Sequence, residues 1–152
     1  MQVLRCWDGS HVRNLGSCKA SKSDGKFHRP QGVAVDSQHN IVVSDQGNHR
    51  IQALDYTTGV HVFTSGSFGD APGQFANPCG LCIHPSSGHI VVCDSGNHRL
   101  QVLDARGNFL RCIGAHGREP GQFKSPLCVG CTRDGQRLIV VEHGNLRVQV
   151  RV

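Results

Sequence analysis

The 152 residues carry 16 Lys and Arg against 11 Asp and Glu, a formal net charge of +5, with 38% hydrophobic and 18% charged content. That balance is too apolar and too weakly charged for a disordered tail, and too poor in charge for a coiled coil. Nineteen glycines beside single Met, Trp and Tyr residues indicate a folded, glycine-punctuated β protein of one domain, large enough to bury a core without disulfide staples.

At the N-terminus, Arg5 and Asp8 interrupt the stretch where a secretory leader would need an unbroken apolar run, so none is expected. No segment approaches the roughly 18 apolar residues of a membrane span. A cytoplasmic protein with no membrane partner is expected, its eight cysteines reduced and mostly buried. Met1 to Leu4 aligns with Leu100 to Leu103, and His11 to Gly16 with Asn108 to Gly114. Residues 1–24 therefore read as the end of a unit that recurs later.

From residue 25 the chain repeats. Gly25-Lys26-Phe27 returns as Gly73-Gln74-Phe75 and Gly121-Gln122-Phe123, a spacing of 48 twice, and each Phe is followed by Pro30, Pro78 or Pro126. Asp45 to Gln52 returns as Asp94 to Gln101 and Glu142 to Gln149, with the one extra residue falling in the turn Pro85-Ser86-Ser87-Gly88. The units are 25–72, 73–120 and 121–152. Period-two alternation predicts strands over Gly32 to Asp36, Asn40 to Asp45, Arg50 to Asp55 and Val60 to Ser65 in the first unit. Four strands in about 48 residues make the blade of a β-propeller. The expected fold is all-β: three four-stranded blades plus a partial unit, the last blade lacking its outer strand. The apolar runs Ile41-Val42-Val43, Ile90-Val91-Val92 and Leu138-Ile139-Val140-Val141 predict second strands covered on both faces by neighbouring blades.

The segments GKFHRPQGVAVD and NIVVSDQGNHRIQALD and their copies resemble NHL repeats over nearly the whole chain. The third copy departs most, with Glu142 for Asp and Leu146 for His. NHL propellers usually have six blades, so the resemblance makes this chain half a propeller. Either it joins a second copy head to tail, the N-terminal outer strand completing the last blade, or it is part of a longer chain. Similarity to the C-terminal NHL domain of TRIM-NHL ubiquitin ligases implies a non-catalytic scaffold that presents its loops to a protein or a single-stranded RNA. Ligase activity would reside in a RING segment outside these residues. The alternative is a metal-dependent enzyme of the NHL-like amidating-lyase kind. That family needs histidines converging on the propeller axis, whereas His84 aligns with Asp36 and Thr132 and has no repeated counterpart.

Recurrence sorts the remaining candidates. Asp45 with Arg50, Asp94 with Arg99 and Glu142 with Arg147 recur in every unit and suit a structural role at the turn between second and third strands. Phe27, Phe75 and Phe123 recur as core anchors. His49 and His98 read as exposed loop residues available to a partner, charging near pH 6.5. Residues 1–30 hold six of the cations and two of the acids, and Lys19, Lys22, Lys26 and Arg29 fall in one loop, where they attract phosphates or simply keep the loop solvated. With Phe27 the only aromatic in that loop, any RNA binding is expected to be weak and sequence-tolerant. The pairs Cys79/Cys82 and Cys128/Cys131 have zinc-like spacing, but they occupy non-equivalent repeat positions, and residues three apart on a strand point to opposite faces. No metal, no cofactor and no catalytic residue is expected, and no phosphate loop, nucleophile elbow or HExxH motif is present.

Overall fold

The computed structural model describes residues 1–4, 8–16 and 19–151. Among the described residues, thirteen strands form four antiparallel sheets. A hairpin of β1 (Gln2–Leu4) and β2 (His11–Asn14) comes first. The first blade is β3 (Pro30–Val35), β4 (Asn40–Asp45), β5 (Arg50–Asp55) and β6 (His61–Ser65), in that order. The second is β7 (Pro78–Ile83), β8 (Ile90–Asp94), β9 (Arg99–Leu103) and β10 (Phe109–Ile113). The third has β11 (Pro126–Cys131), β12 (Leu138–Glu142) and β13 (Arg147–Arg151).

Each innermost strand starts at its repeat proline and shifts register within the next three residues, between Pro30 and Val33, Pro78 and Leu81, Pro126 and Cys128. Proline has no N–H for the ladder and is tolerated at a strand's first residue or a bulge. Single 3-10 turns, Gln46–Asn48 and Ser95–Asn97, join the second and third strands of the first two blades. They close on His49 and His98 in the left-handed region, at φ 56° and 57°.

The sheets stack face to face, and the core lies between them. Phe75, Leu81, Ile90, Val92 and Leu103 of the second blade bury Val42, Ile51 and Ala53 of the first. Phe123, Val129 and Val140 of the third bury Val91, Cys93, Leu100 and Val102 of the second. On the first blade's other side, Ile41, Val43 and Leu54 pack with Phe27, Leu15, Met1 and Val3. Innermost strands meet most closely at two glycines: a Cβ on Gly32 would lie 2.6 Å from the Cys79 carbonyl oxygen, and one on Gly80 would lie 2.6 Å from that of Leu127. Only glycine permits that approach.

The expectation of second strands covered on both faces holds for β4 and β8, buried throughout. It is corrected for β12, where Ile139 and Val141 are exposed and only Val140 and Glu142 are buried. Among the described residues no sheet packs on that face.

Candidate functional site

Strand alternation places the loop residues 15–16 and 19–29 and the loops 46–49, 66–77, 95–98, 114–125 and 143–146 on one rim, and the turns 36–39, 56–60, 84–89, 104–108 and 132–137 on the opposite one. Among the described residues, the first rim's loops hold six Lys and Arg against three Asp and Glu. The opposite loops 8–10, 36–39, 56–60, 84–89, 104–108 and 132–137 hold three against four. The opposite carboxylates are engaged in closing their own turns. Asp36 accepts from the Gln38 and Asn40 N–H groups, and Asp104 from those of Arg106 and Asn108. Hydrogen bonds from Asn108 hold the Asp104 carboxyl below its ordinary range, as those from Thr132 and Gln136 do for Asp134.

A buried carboxylate organises the first rim in each blade. Asp45 accepts from the Arg50 Nε at 2.8 Å, from Asn48 at 2.8 Å, from Gln52 at 3.1 Å and from the His28 N–H at 2.6 Å. Asp94 takes the same four roles with Arg99, Asn97, Gln101 and the Ala76 N–H. Glu142 does so with Arg147, Asn145, Gln149 and the Lys124 N–H. Burial pushes the Glu142 carboxyl up, but hydrogen bonds from Arg147, Gln149, Lys124 and Asn145 outweigh it and hold the group low. The guanidinium then reaches beyond the turn: Arg50 donates to the Ser23 and Lys26 carbonyls, Arg99 to those of Ala71 and Gln74, and Arg147 to those of Arg118, Glu119 and Gln122. A fork of fixed donors thus ties the loop backbone to the turn.

The side chains of Lys19, Lys22, Lys26 and Arg29 stand exposed on the loop so held. His49 and His98 are corrected. They are half-buried, and each ring accepts through Nδ1 from the next blade: His49 from the Asn77 N–H and His98 from the Ser125 N–H, both at 3.1 Å. Their backbone is left-handed, and these hydrogen bonds latch each blade to the next. Beside His49 lies Phe68, ring centroids 4.8 Å apart, and that phenyl is 70% exposed. Phe68 is the aromatic group on the rim that the sequence reading missed.

This architecture agrees with the comparisons. The family model described as the NHL repeat matches residues 27–54 and 75–103. Two of its three units thus match the NHL repeat. Over 65 residues it is 38% identical to "Protein brain tumor" of Drosophila melanogaster, covering 43% of this chain and 6% of that protein. Over 32 residues it is 56% identical to "B-box type zinc finger protein ncl-1" of Caenorhabditis elegans, covering 21% of this chain and 4% of that one. The matched stretches therefore span only a small part of either relative. Among solved structures, Kuenenia stuttgartiensis hydrazine synthase superposes with a TM-score of 0.58 at 14% identity, over 88% of this chain and 38% of that one. At that identity the likeness concerns the fold, which it places among propeller-like proteins.

The blades do not assemble a metal centre from the described residues: no three His, Cys, Asp or Glu converge as ligands would. His84 lines a cleft of ≈ 560 Å³ between the second and third blades and bonds to the Gly135 carbonyl and to Ser87. Cys79 is buried, Cys82 and Cys131 half-buried and Cys128 exposed, all as free thiols. Burial, with Cys131 and Cys128 nearby, pushes the Cys82 thiol up to about 12, which makes it a poor thiolate ligand or nucleophile.

The His98 latch should give the fold a pH dependence. Burial lowers the His98 pKa, and the neighbouring His116 and Lys124 lower it further against the opposing pull of Asp94; the two rings lie 4.3 Å apart. A base held below its unfolded value of 6.5 contributes stability that is complete above that value and is lost as pH falls through the lower folded one. Denaturant midpoints measured at roughly pH 8 and 5 should fall on acidification, and less so in His98→Asn, which keeps a residue tolerant of the left-handed backbone and removes the titration. An equal fall in both proteins would refute the assignment.

Proposed function

We propose that this NHL-repeat chain is a non-catalytic, cytoplasmic binding scaffold whose basic rim receives a protein or a single-stranded RNA, as the resemblance to the NHL domains of TRIM-NHL ubiquitin ligases implies. The observation that carries the reading is one rim on which a rigidly held loop displays Lys19, Lys22, Lys26 and Arg29, beside the turn that bears His49 and the exposed Phe68. The hydrogen bond from the Gly47 N–H to the His28 carbonyl, at 2.7 Å, joins that loop to that turn. Cations supply attraction to phosphate, and an exposed phenyl supplies a stacking face that every base can use. In a longer protein of the same family, ligase chemistry would belong to a separate RING segment.

Fluorescence anisotropy with a labelled single-stranded RNA, titrated at several salt concentrations, tests this. Roughly three phosphate contacts give a log–log salt slope near −2, at about −0.7 per phosphate. Exchanging Lys19, Lys22 and Lys26 together for Glu should abolish the slope and leave the fold intact, because exposed loop charges contribute little to stability. Phe68→Ala should weaken binding by about 1–3 kcal/mol while keeping the slope. Tight binding that ignores salt, or survives the triple change, rules this surface out. No binding at low salt leaves the rim to a protein partner.

A further inference from the structure

The two joints between the blades share a backbone and differ in charge. In the first, the loop 66–77 sets Phe68 beside His49, has Ala76 next to the latch donor Asn77, and carries one charged residue, Asp70. In the second, the loop 114–125 has His116 for Phe68, Lys124 for Ala76 and Arg118 for Asp70. Glu119 is its one acid, so this loop is net basic where the first is net acidic. The hydrogen bonds are nevertheless the same: Asn77 and Ser125 donate to the latch histidines, and Ala76 and Lys124 donate to the buried carboxylates. His116 and Lys124 are therefore not needed to build the joint, and their chemistry is available for another use.

The His98 and His116 rings stack with centroids 4.3 Å apart and planes tilted by 31°. The His98 Nδ1 accepts the Ser125 N–H at 3.1 Å, so in the neutral ring Nε2 carries the hydrogen and is a donor. A metal-ligating nitrogen must be free of hydrogen, and the closed latch thus excludes Nε2 as a ligand. His116 is exposed, and its ring nitrogens bond to no described residue. The Lys124 stem lies over Gly144, where a Cβ would come within 2.5 Å of its Cγ, and its ammonium pairs with no described carboxylate.

The acids nearby are already engaged. Asp94, which faces His98, accepts from Arg99, Asn97, Gln101 and the Ala76 N–H. Glu142 is closed on its own four donors. The third blade's turn adds exposed His143, whose N–H donates to the Ser125 carbonyl at 3.1 Å. His116 and Lys124 both oppose a positive charge on His98. The cluster thus concentrates positive and protonatable groups with no free carboxylate to balance them.

We propose that His98, His116 and Lys124 form a site for a phosphate group, bound together with one proton. His98 stays neutral and donates from Nε2, Lys124 supplies a fixed charge, and His116 takes up the proton. A second cation beside Lys124 is repelled, and an anion among these groups removes that repulsion. Proton and anion therefore favour each other's binding by the same factor. The site lies two joints along the rim from Lys22 and Lys26 and stands whether or not that loop binds RNA.

Calorimetric titration of the full chain with sulfate tests the proposal, because sulfate keeps its two charges over the range in which histidine titrates. Binding should tighten as pH falls from roughly 8 to 6, by up to about tenfold per unit, the limit for one linked proton. Heats measured in two buffers of different ionisation enthalpy should show proton uptake. His116→Phe and Lys124→Ala restore residues of aromatic and small type that the first joint carries, so both should keep the wild-type circular dichroism. The first should abolish the pH dependence, and the second should weaken binding at both ends of the range. Methyl phosphate and dimethyl phosphate then separate the sources: tighter binding of the monoester assigns a terminal phosphate, and of the diester a nucleic-acid backbone, and either supports the site. No saturable binding at the acid end, binding indifferent to pH, or binding unchanged in either variant would each overturn it.

Discussion

Asp94→Ala should destabilise the protein by about 3–5 kcal/mol, the usual cost of removing one partner from a buried ion pair. The Asp94 side chain is fully buried, and its loss strands the Arg99 guanidinium with the Asn97, Gln101 and Ala76 donors that aim at it. Water reaches these groups poorly, so most of the lost hydrogen bonding goes unreplaced. The three blades should rank by how far each arginine is already wet. The side chains of Arg50 and Arg99 are 10% and 15% exposed, whereas that of Arg147 is 29% exposed, so Glu142→Ala should cost least. Equilibrium urea denaturation of the three single variants measures the ranking. A cost below about 1 kcal/mol for Asp94→Ala would place the pair among ordinary surface bridges. Pairing Asp94→Ala with Arg99→Leu should recover part of the loss, since the second change removes the orphaned charge.

These networks were legible as recurrence before they were visible as geometry. Asp45, Arg50 and their copies return at fixed spacing beside a turn, and a paired charge that repeats in every unit has a role in the unit. The strands were legible for a related reason: their limits are local, written in Gly, Pro, Asn and Asp. Predicted and observed limits coincide at Asn40–Asp45 and Arg50–Asp55 and differ elsewhere by no more than two residues, as for Pro30–Val35. What escaped the sequence was joint chemistry. His49 and His98 bond to N–H groups 28 and 27 residues away, a distance at which no local pattern shows which face of a ring is occupied. Phe68 did leave a signal. The core phenylalanines recur at 27, 75 and 123, but the counterpart of Phe68 is His116, and an apolar residue that fails to recur in a repeat is free of the repeat's core. The bare face of β12 and β13 left none, because Ile139, Val141, Val148 and Val150 are apolar in the same pattern that buries their counterparts.

Phe75→Ala should destabilise by a similar amount, about 3–5 kcal/mol, but for a different reason and with a different ranking. Phe75 is fully buried in the cluster that joins the first and second blades, against Val42, Ile51 and Ala53 on one side and Ile90, Val92 and Leu103 on the other. Its backbone is fixed as well, the N–H donating to the Ser67 carbonyl at 2.8 Å, so the neighbours cannot collapse fully into the space left by the ring. Phe123 sits the same way in the second joint. Phe27 packs under Leu15, Met1 and the β1 residue Val3 rather than under a whole blade, and a cavity there closes more readily by shifting a three-residue strand. The expected order of cost is therefore Phe75 and Phe123 together, then Phe27. Denaturant midpoints decide it, and Phe75→Leu, which keeps much of the apolar volume, should recover a large share of the loss. A Phe27→Ala variant as unstable as Phe75→Ala would mean that the N-terminal hairpin is held as rigidly as a complete blade.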